Sequence, residues 1–124
     1  MTAILFLCHG NICRSPMAEF IFKDVVSGRN LADRFYIASA ATSTEEIWDG
    51  TGNLVYPPAW EELAKHGISC KGKRAVQLKK EDYEKYDYIL EMDPWYTGRF
   101  DVTYADVVEG CEAFLDYLEK MKKL

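Results

Sequence analysis

The chain has 124 residues, with 15 Lys+Arg against 20 Asp+Glu and a formal net charge of −5. That length fits one domain, residues 1–124, able to bury roughly two-thirds of its unfolded surface, and 48% hydrophobic with 28% charged residues is the balance of a globular chain, not a disordered or fibrous one. The acidic balance argues against nucleic-acid binding through bulk charge, so an anionic substrate would need a local positive site.

The apolar run AILFL at residues 3–7 has no alternation and reads as a strand buried on both faces of a parallel sheet. A loop follows over 8–14. Ser15-Pro16 predicts a helix start, with Ser15 as the N-cap and Pro16 at the first helical position. Met17, Phe20, Ile21 and Val25 then share one face, and Ser27-Gly28 ends the helix. FYIA at 35–38 predicts a second short strand, and 39–58 reads as loop. Residues 58–66 predict a helix stopped by Gly67. A short amphipathic helix is expected over 78–86, a third strand over 88–92 and a loop over 93–100. A long helix is expected over 103–123, its period kept by Tyr104, Val107, Cys111, Phe114 and Leu118. Strands alternating with helices predict an α/β domain with a parallel sheet. Three strands are few for such a sheet.

The N-terminal apolar run has no basic stretch before it and no small-residue cleavage site after it, so no signal peptide is expected. No stretch reaches the roughly 18 apolar residues of a spanning helix. A soluble cytoplasmic protein is expected, with Cys8, Cys13, Cys70 and Cys111 as reduced thiols.

The segment Cys8-His9-Gly10-Asn11-Ile12-Cys13-Arg14-Ser15 carries the chemistry. It places a cysteine at a strand end and an arginine just before a helix start. Successive backbone N–H groups and the helix N-terminus form a nest for an oxyanion. Gly10 and Asn11 tolerate the positive φ that such a nest uses. Arg14 offers a planar fork that matches two phosphate oxygens. All three features favour a thiolate at Cys8, and thiols in such settings titrate at roughly 3.5–7.5 instead of about 8.5. This is the pattern of a phosphoryl-transfer site. It is not a nucleotide P-loop, because the Gly-Lys-Ser/Thr ending is absent.

CHGNICRSP, residues 8–16, resembles the signature of the low-molecular-weight protein tyrosine phosphatases. The resemblance extends in chain order to SAATS at 39–43, KHGI at 65–68, YDYIL at 86–90 and DPWY at 93–96. It implies a three-layer α/β/α fold around a central parallel sheet, and hydrolysis of phosphotyrosine in proteins through a cysteinyl-phosphate, with no metal or cofactor. In that reading Cys8 is the nucleophile, Arg14 binds the equatorial oxygens and Asp93 is the general acid. His9, Gly10, Asn11, Ile12, Cys13 and Ser15 surround the bound phosphate or sulfate, and Asn11 and Ser15 also hold the loop's shape. Ser39 matches a supporting serine at the end of the second strand, and His66 is either a buried histidine that hydrogen-bonds Asn11 or a satisfied histidine near a helix end. Trp95 and Tyr96 wall a slot for an aromatic ring. Cys13 matches a second loop cysteine that protects the nucleophile as a reversible disulfide. Ile12 stands where arginine-phosphate phosphatases of the family carry Thr, which favours tyrosine phosphate. The implied partners are phosphotyrosine proteins, with neither nucleic acid nor membrane, in a monomer or weak homodimer.

Two departures stand out. Glu45 replaces an aromatic that often faces the substrate ring and would repel acidic peptides; Trp48 either supplies that wall from a shifted position or anchors its loop. In the family, a helix and a fourth parallel strand separate the third strand from the acid loop, whereas here Met92 runs directly into Asp93-Pro94. Asp93 therefore stands at two family positions at once. The shortfall has three readings: a deletion, a segment present in the protein but missing from the printed residues, or an edge supplied by a partner chain. The loss of a strand would expose an unpaired edge, which favours the second. Two other functions compete, a thiol-based arsenate reductase of the same fold and an inactive oxyanion- or phosphopeptide-binding module.

Overall fold

A computed structural model covers the chain and describes residues 1–92 and 99–121. In chain order the elements are β1 (Thr2–Cys8), α1 (Arg14–Gly28), a 3-10 turn (Ala32–Arg34), β2 (Phe35–Ala41), β3 (Ile47–Trp48), β4 (Thr51–Gly52), α2 (Pro57–Lys65), α3 (Asp82–Lys85), β5 (Tyr88–Glu91) and α4 (Phe100–Lys120).

The principal sheet has the order β2-β1-β5, and both pairings are parallel. β1 lies in the centre. Its side chains alternate between two cores, as a doubly covered strand requires. Ile4 and Phe6 join the larger core, with Met17, Ile21 and Phe22 of α1 and Val107, Leu115 and Leu118 of α4. Leu5 and Leu7 face the other way and pack with Ala40, Leu78, Tyr86 and Ile89. The α/β expectation and the two-faced burial of 3–7 are both borne out. Phe22 is fully buried and meets Phe6 and Phe35 edge-on, at ring-centroid distances of 5.9 and 5.5 Å. The predicted apolar face of α1 is rotated: Phe20 and Val25 are only half-buried, while Phe22 and Val26 are in the core.

Residues 39–58 are not all loop. β2 runs on to Ala41, and β3 and β4 form a small antiparallel hairpin with Ile47 opposite Gly52. Its turn, Asp49-Gly50, has positive φ at both positions, 49° and 78°, the geometry of a tight primed hairpin turn.

Among the described residues the principal sheet has three strands, with β5 at an edge and only half-buried. The sequence is continuous through Met92-Asp93-Pro94, and the structure covers residues 1–124 of it. Among the described residues no further helix or strand stands between β5 and α4.

Candidate active site

β1 ends at Cys8 and α1 begins at Arg14, so the segment between them must reverse direction within five residues. Asn11 makes this possible with φ at 57°, a left-handed conformation that Asn tolerates better than most residues. Gly10 is not among the positive-φ residues, so that part of the expectation does not hold. Its lack of a side chain serves space instead, since a Cβ there would come within 3.1 Å of Glu46 Cγ.

The Cys8 sulfur sits in a hydrogen-bond cage. The Asn11 backbone N–H donates to Cys8 Sγ at 3.3 Å, and Ser15 Oγ lies 2.9 Å from it. Asn11 Nδ2 donates to the same Ser15 oxygen at 2.7 Å, and Asn11 Oδ1 accepts the Val76 N–H at 2.9 Å. With its oxygen already accepting from Asn11, the Ser15 hydroxyl is set to donate its proton to the sulfur. Asn11 and Ser15 are both fully buried, so each must find its partners inside the protein. The loop is also pinned from outside, Tyr56 N–H to Ile12 O at 2.8 Å and Ser43 N–H to His9 O at 3.0 Å.

Ser15 is not the helix cap that its position before Pro16 predicts. α1 starts two residues earlier, with Cys13 in the cap position and no side-chain cap, because the Ser15 hydroxyl is committed to Asn11 and Cys8. Burial and the adjacent Cys8 push the Cys13 thiol up to about 11, against an opposing pull from Arg14. Arg14 lines a cavity of about 470 Å3 together with Phe6, Leu90, Met92, Asp106 and Phe114.

His66 takes the second of its two expected places, as a partnered histidine at a helix end, and does not bond Asn11. It is exposed at the end of α2, bonds Glu62 Oε2 at 2.9 Å and stacks on Tyr104 at 3.7 Å. The partner of Asn11 on that side is the backbone of Val76. Ser39 lies near the end of the second strand. It is buried inside β2, and its hydroxyl donates to Glu19 Oε1 at 2.6 Å. At the rim, exposed Glu45 pairs with exposed His9 at 3.0 Å. Trp48 is 69% exposed. Asp93, Trp95 and Tyr96 lie outside the described residues.

Sequence reading missed Glu19, Lys73 and Val76. Glu19 carried one usable signal, its place four residues after Ser15 on the same helix face. Lys73 and Val76 carried none.

A sequence model of the low molecular weight phosphotyrosine protein phosphatases matches residues 3–124. YfkJ, a low molecular weight protein-tyrosine-phosphatase of Bacillus subtilis, is 31% identical over 160 positions that take in all of both chains. A low molecular weight phosphotyrosine protein phosphatase of Rattus norvegicus is 45% identical over 120 residues, 94% of this chain and 70% of that one. Crystal structures agree: YfkJ superposes with a TM-score of 0.87 at 30% identity, covering 98% of this chain and 97% of that one. The phosphatase SP-PTP of Streptococcus pyogenes gives 0.84 at 32% identity, with coverages of 95% and 93%. The chain belongs to the low molecular weight phosphotyrosine protein phosphatase family, a family of hydrolases. It is a compact member: placing its 124 residues against YfkJ takes 160 positions, so 36 of those positions have no counterpart here.

Proposed function

We propose that this phosphatase works through Cys8. The thiolate attacks phosphorus, the phosphorus–aryl oxygen bond breaks, and a cysteinyl-phosphate forms while the phenolate takes a proton. Water then attacks phosphorus and the sulfur leaves as thiolate, supported by the Ser15 hydroxyl and the Asn11 N–H. Arg14 holds the equatorial oxygens through both steps. Asp93 gives the first proton and takes one from the water, as the Asp-Pro-Trp-Tyr string implies. Trp95 and Tyr96 flank the substrate ring, with Trp48 as a surface wall. The loop N–H groups from His9 to Ser15 hold phosphate or sulfate. The observation that carries this reading is the cage of Asn11 and Ser15 around the Cys8 sulfur.

Burial of Cys70 and Cys111 weighs against the arsenate-reductase reading, which needs accessible thiols to relay a disulfide. Phosphoproteins are the substrates, and no helix among the described residues is long and apolar enough to cross a membrane. We read the chain as one domain over 1–124, cytoplasmic, and a monomer or weak homodimer. The test is hydrolysis of an aryl phosphate with chelator present. Turnover by the native chain, abolished in Cys8→Ser, is expected; full activity in Cys8→Ser removes Cys8 as nucleophile, and phosphate binding without turnover restores the binding-module reading.

A further inference from the structure

Behind the loop lies a charged cluster that the mechanism above does not use. Glu19, 5% exposed, is the hub. Its carboxylate accepts from Ser39 Oγ at 2.6 Å and from Lys23 Nζ at 2.6 Å, and lies 3.4 Å from Lys73 Nζ. The Lys73 side chain is also nearly buried, 11% exposed, and its ammonium donates to the Ser39 carbonyl at 3.1 Å.

The cluster stands close to the nucleophile for two geometric reasons. Glu19 follows Ser15 by four residues on the buried face of α1, which puts their Cβ atoms about 5–6 Å apart, and Ser15 touches the sulfur. Across the sheet, Ser39 pairs with Phe6 and Ala41 with Cys8, so Ser39 sits two residues, roughly 7 Å, back along the strand from the level of the sulfur. The chain after Lys73 then clamps the loop: Val76 N–H donates to Asn11 Oδ1, Ala41 N–H to Val76 O at 2.6 Å, and Leu78 N–H to Ala41 O at 2.9 Å.

A buried carboxylate one helical turn from a thiolate is a like charge in a poorly screened setting, and it opposes the anion the chemistry needs. We infer that Lys73 is a positioning residue for the phosphatase reaction, whose buried ammonium, together with Lys23, offsets the Glu19 carboxylate and so its repulsion of an anionic Cys8 sulfur. Burial lowers the Lys73 ammonium from its ordinary range, while Glu19 and the anion of Cys8 both pull it back up. The other titratable groups facing the cluster are Lys23 on α1, Cys70 in the segment leading to Lys73 and Tyr86 after α3. Burial raises the last two, so they remain neutral near pH 7.

This inference rests on Cys8 as nucleophile, and its test uses no turnover. Cys8 alkylation by iodoacetate is followed by mass spectrometry at pH 6 and pH 9, with far-UV circular dichroism on every variant. Lys73→Met is expected to alkylate about three- to tenfold more slowly at pH 6, the effect of a half- to one-unit shift, with rates equal at pH 9. Lys73→Arg is expected to stay near wild type, and Lys73→Met combined with Glu19→Gln to recover the wild-type rate. Glu19→Gln alone preserves an acceptor for Ser39 and is expected to alkylate about two- to fivefold faster at pH 6; it decides the matter if Lys73→Met does not fold. An unchanged pH 6 rate in the folded Lys73→Met variant, equal slowing at both pH values, no recovery in the double variant, or no acceleration in Glu19→Gln overturns the inference. Failure of the phosphatase reading would instead appear as aryl phosphate turnover by Cys8→Ser.

Discussion

The Ser15 oxygen lies 2.9 Å from the Cys8 sulfur, and that same oxygen accepts the Asn11 side-chain amide at 2.7 Å. One hydroxyl thus serves the proposed nucleophile and the loop's architecture together. Ser15→Ala removes the donor to sulfur and leaves a buried amide without an acceptor. The variant is expected to lose about 1–3 kcal/mol of stability and about 100–1000-fold in kcat, the scale of one lost donor to a developing charge. Thermal unfolding and steady-state turnover of an aryl phosphate check both, and an unchanged kcat would show that the sulfur does not use this hydroxyl.

Asp93 is proposed as the acid, and leaving groups report on it. A phenolate of low basicity departs without help, whereas one near tyrosine's own basicity needs a proton. Asp93→Asn is expected to slow alkyl-substituted phenyl phosphates about 100-fold and nitrophenyl phosphate by much less. Equal slowing of both would remove Asp93 from that role.

The buried thiols set an alkaline limit. Burial, aided by nearby Glu112, pushes Cys111 up to about 12 from an ordinary value of 9.0. A group raised in the folded state contributes its full stability below the unfolded value and loses it as pH climbs to the folded one. Stability is therefore expected to fall between pH 9 and 12, with Cys111 alone contributing a slope of about 1.4 kcal/mol per pH unit, and the Cys13 thiol adding to the fall up to about 11. Urea unfolding across that range should show a shallower decline in Cys111→Ala, and parallel declines would rule out the thiol as a source.

Gly52 in β4 holds the rim segment against its neighbour by close backbone approach. A Cβ there would lie 1.8 Å from the Ala75 carbonyl oxygen, and Arg74 Nη1 donates to the Gly52 carbonyl at 3.0 Å. Gly52→Ala must push β4 and the segment at Ala75 apart and is expected to cost about 1–3 kcal/mol. Asn53, the next residue, bonds Glu46 at 2.7 Å, so the shift should also raise KM for a phosphopeptide. A wild-type melting temperature would contradict the tight approach.

What the sequence made legible was local. The unbroken apolar run of β1, the helical periods and the loop signature each declare themselves within a few neighbours, and the structure places Cys8, Asn11 and Ser15 together as the motif implies. The errors fall where distant residues decide. Ser15 before Pro16 has the form of a cap, but tertiary partners claim its hydroxyl. Of the two places open to His66 the exposed helix end is the one taken, and the backbone N–H of Val76 bonds Asn11. The hairpin at 47–52 escaped because its strands are two residues each, too short for alternation, although Asp49-Gly50 carried the turn signal. The Glu19–Lys73 contact joins charged residues far apart in the chain, and periodicity holds no trace of such a pair.

The central place of β1 has a consequence for how the molecule breathes. Its amides are bonded to β2 on one side and β5 on the other, beneath cores on both faces. Segments buried this way open only with the whole domain, whereas exposed loops open almost freely. Amide hydrogen exchange should therefore be slowest along the strand that ends in Cys8 and fast at the rim around Glu45 and Trp48. The sulfur proposed as nucleophile is anchored in the most durable part of the protein, and the rim proposed to meet a phosphoprotein is drawn from the least durable part.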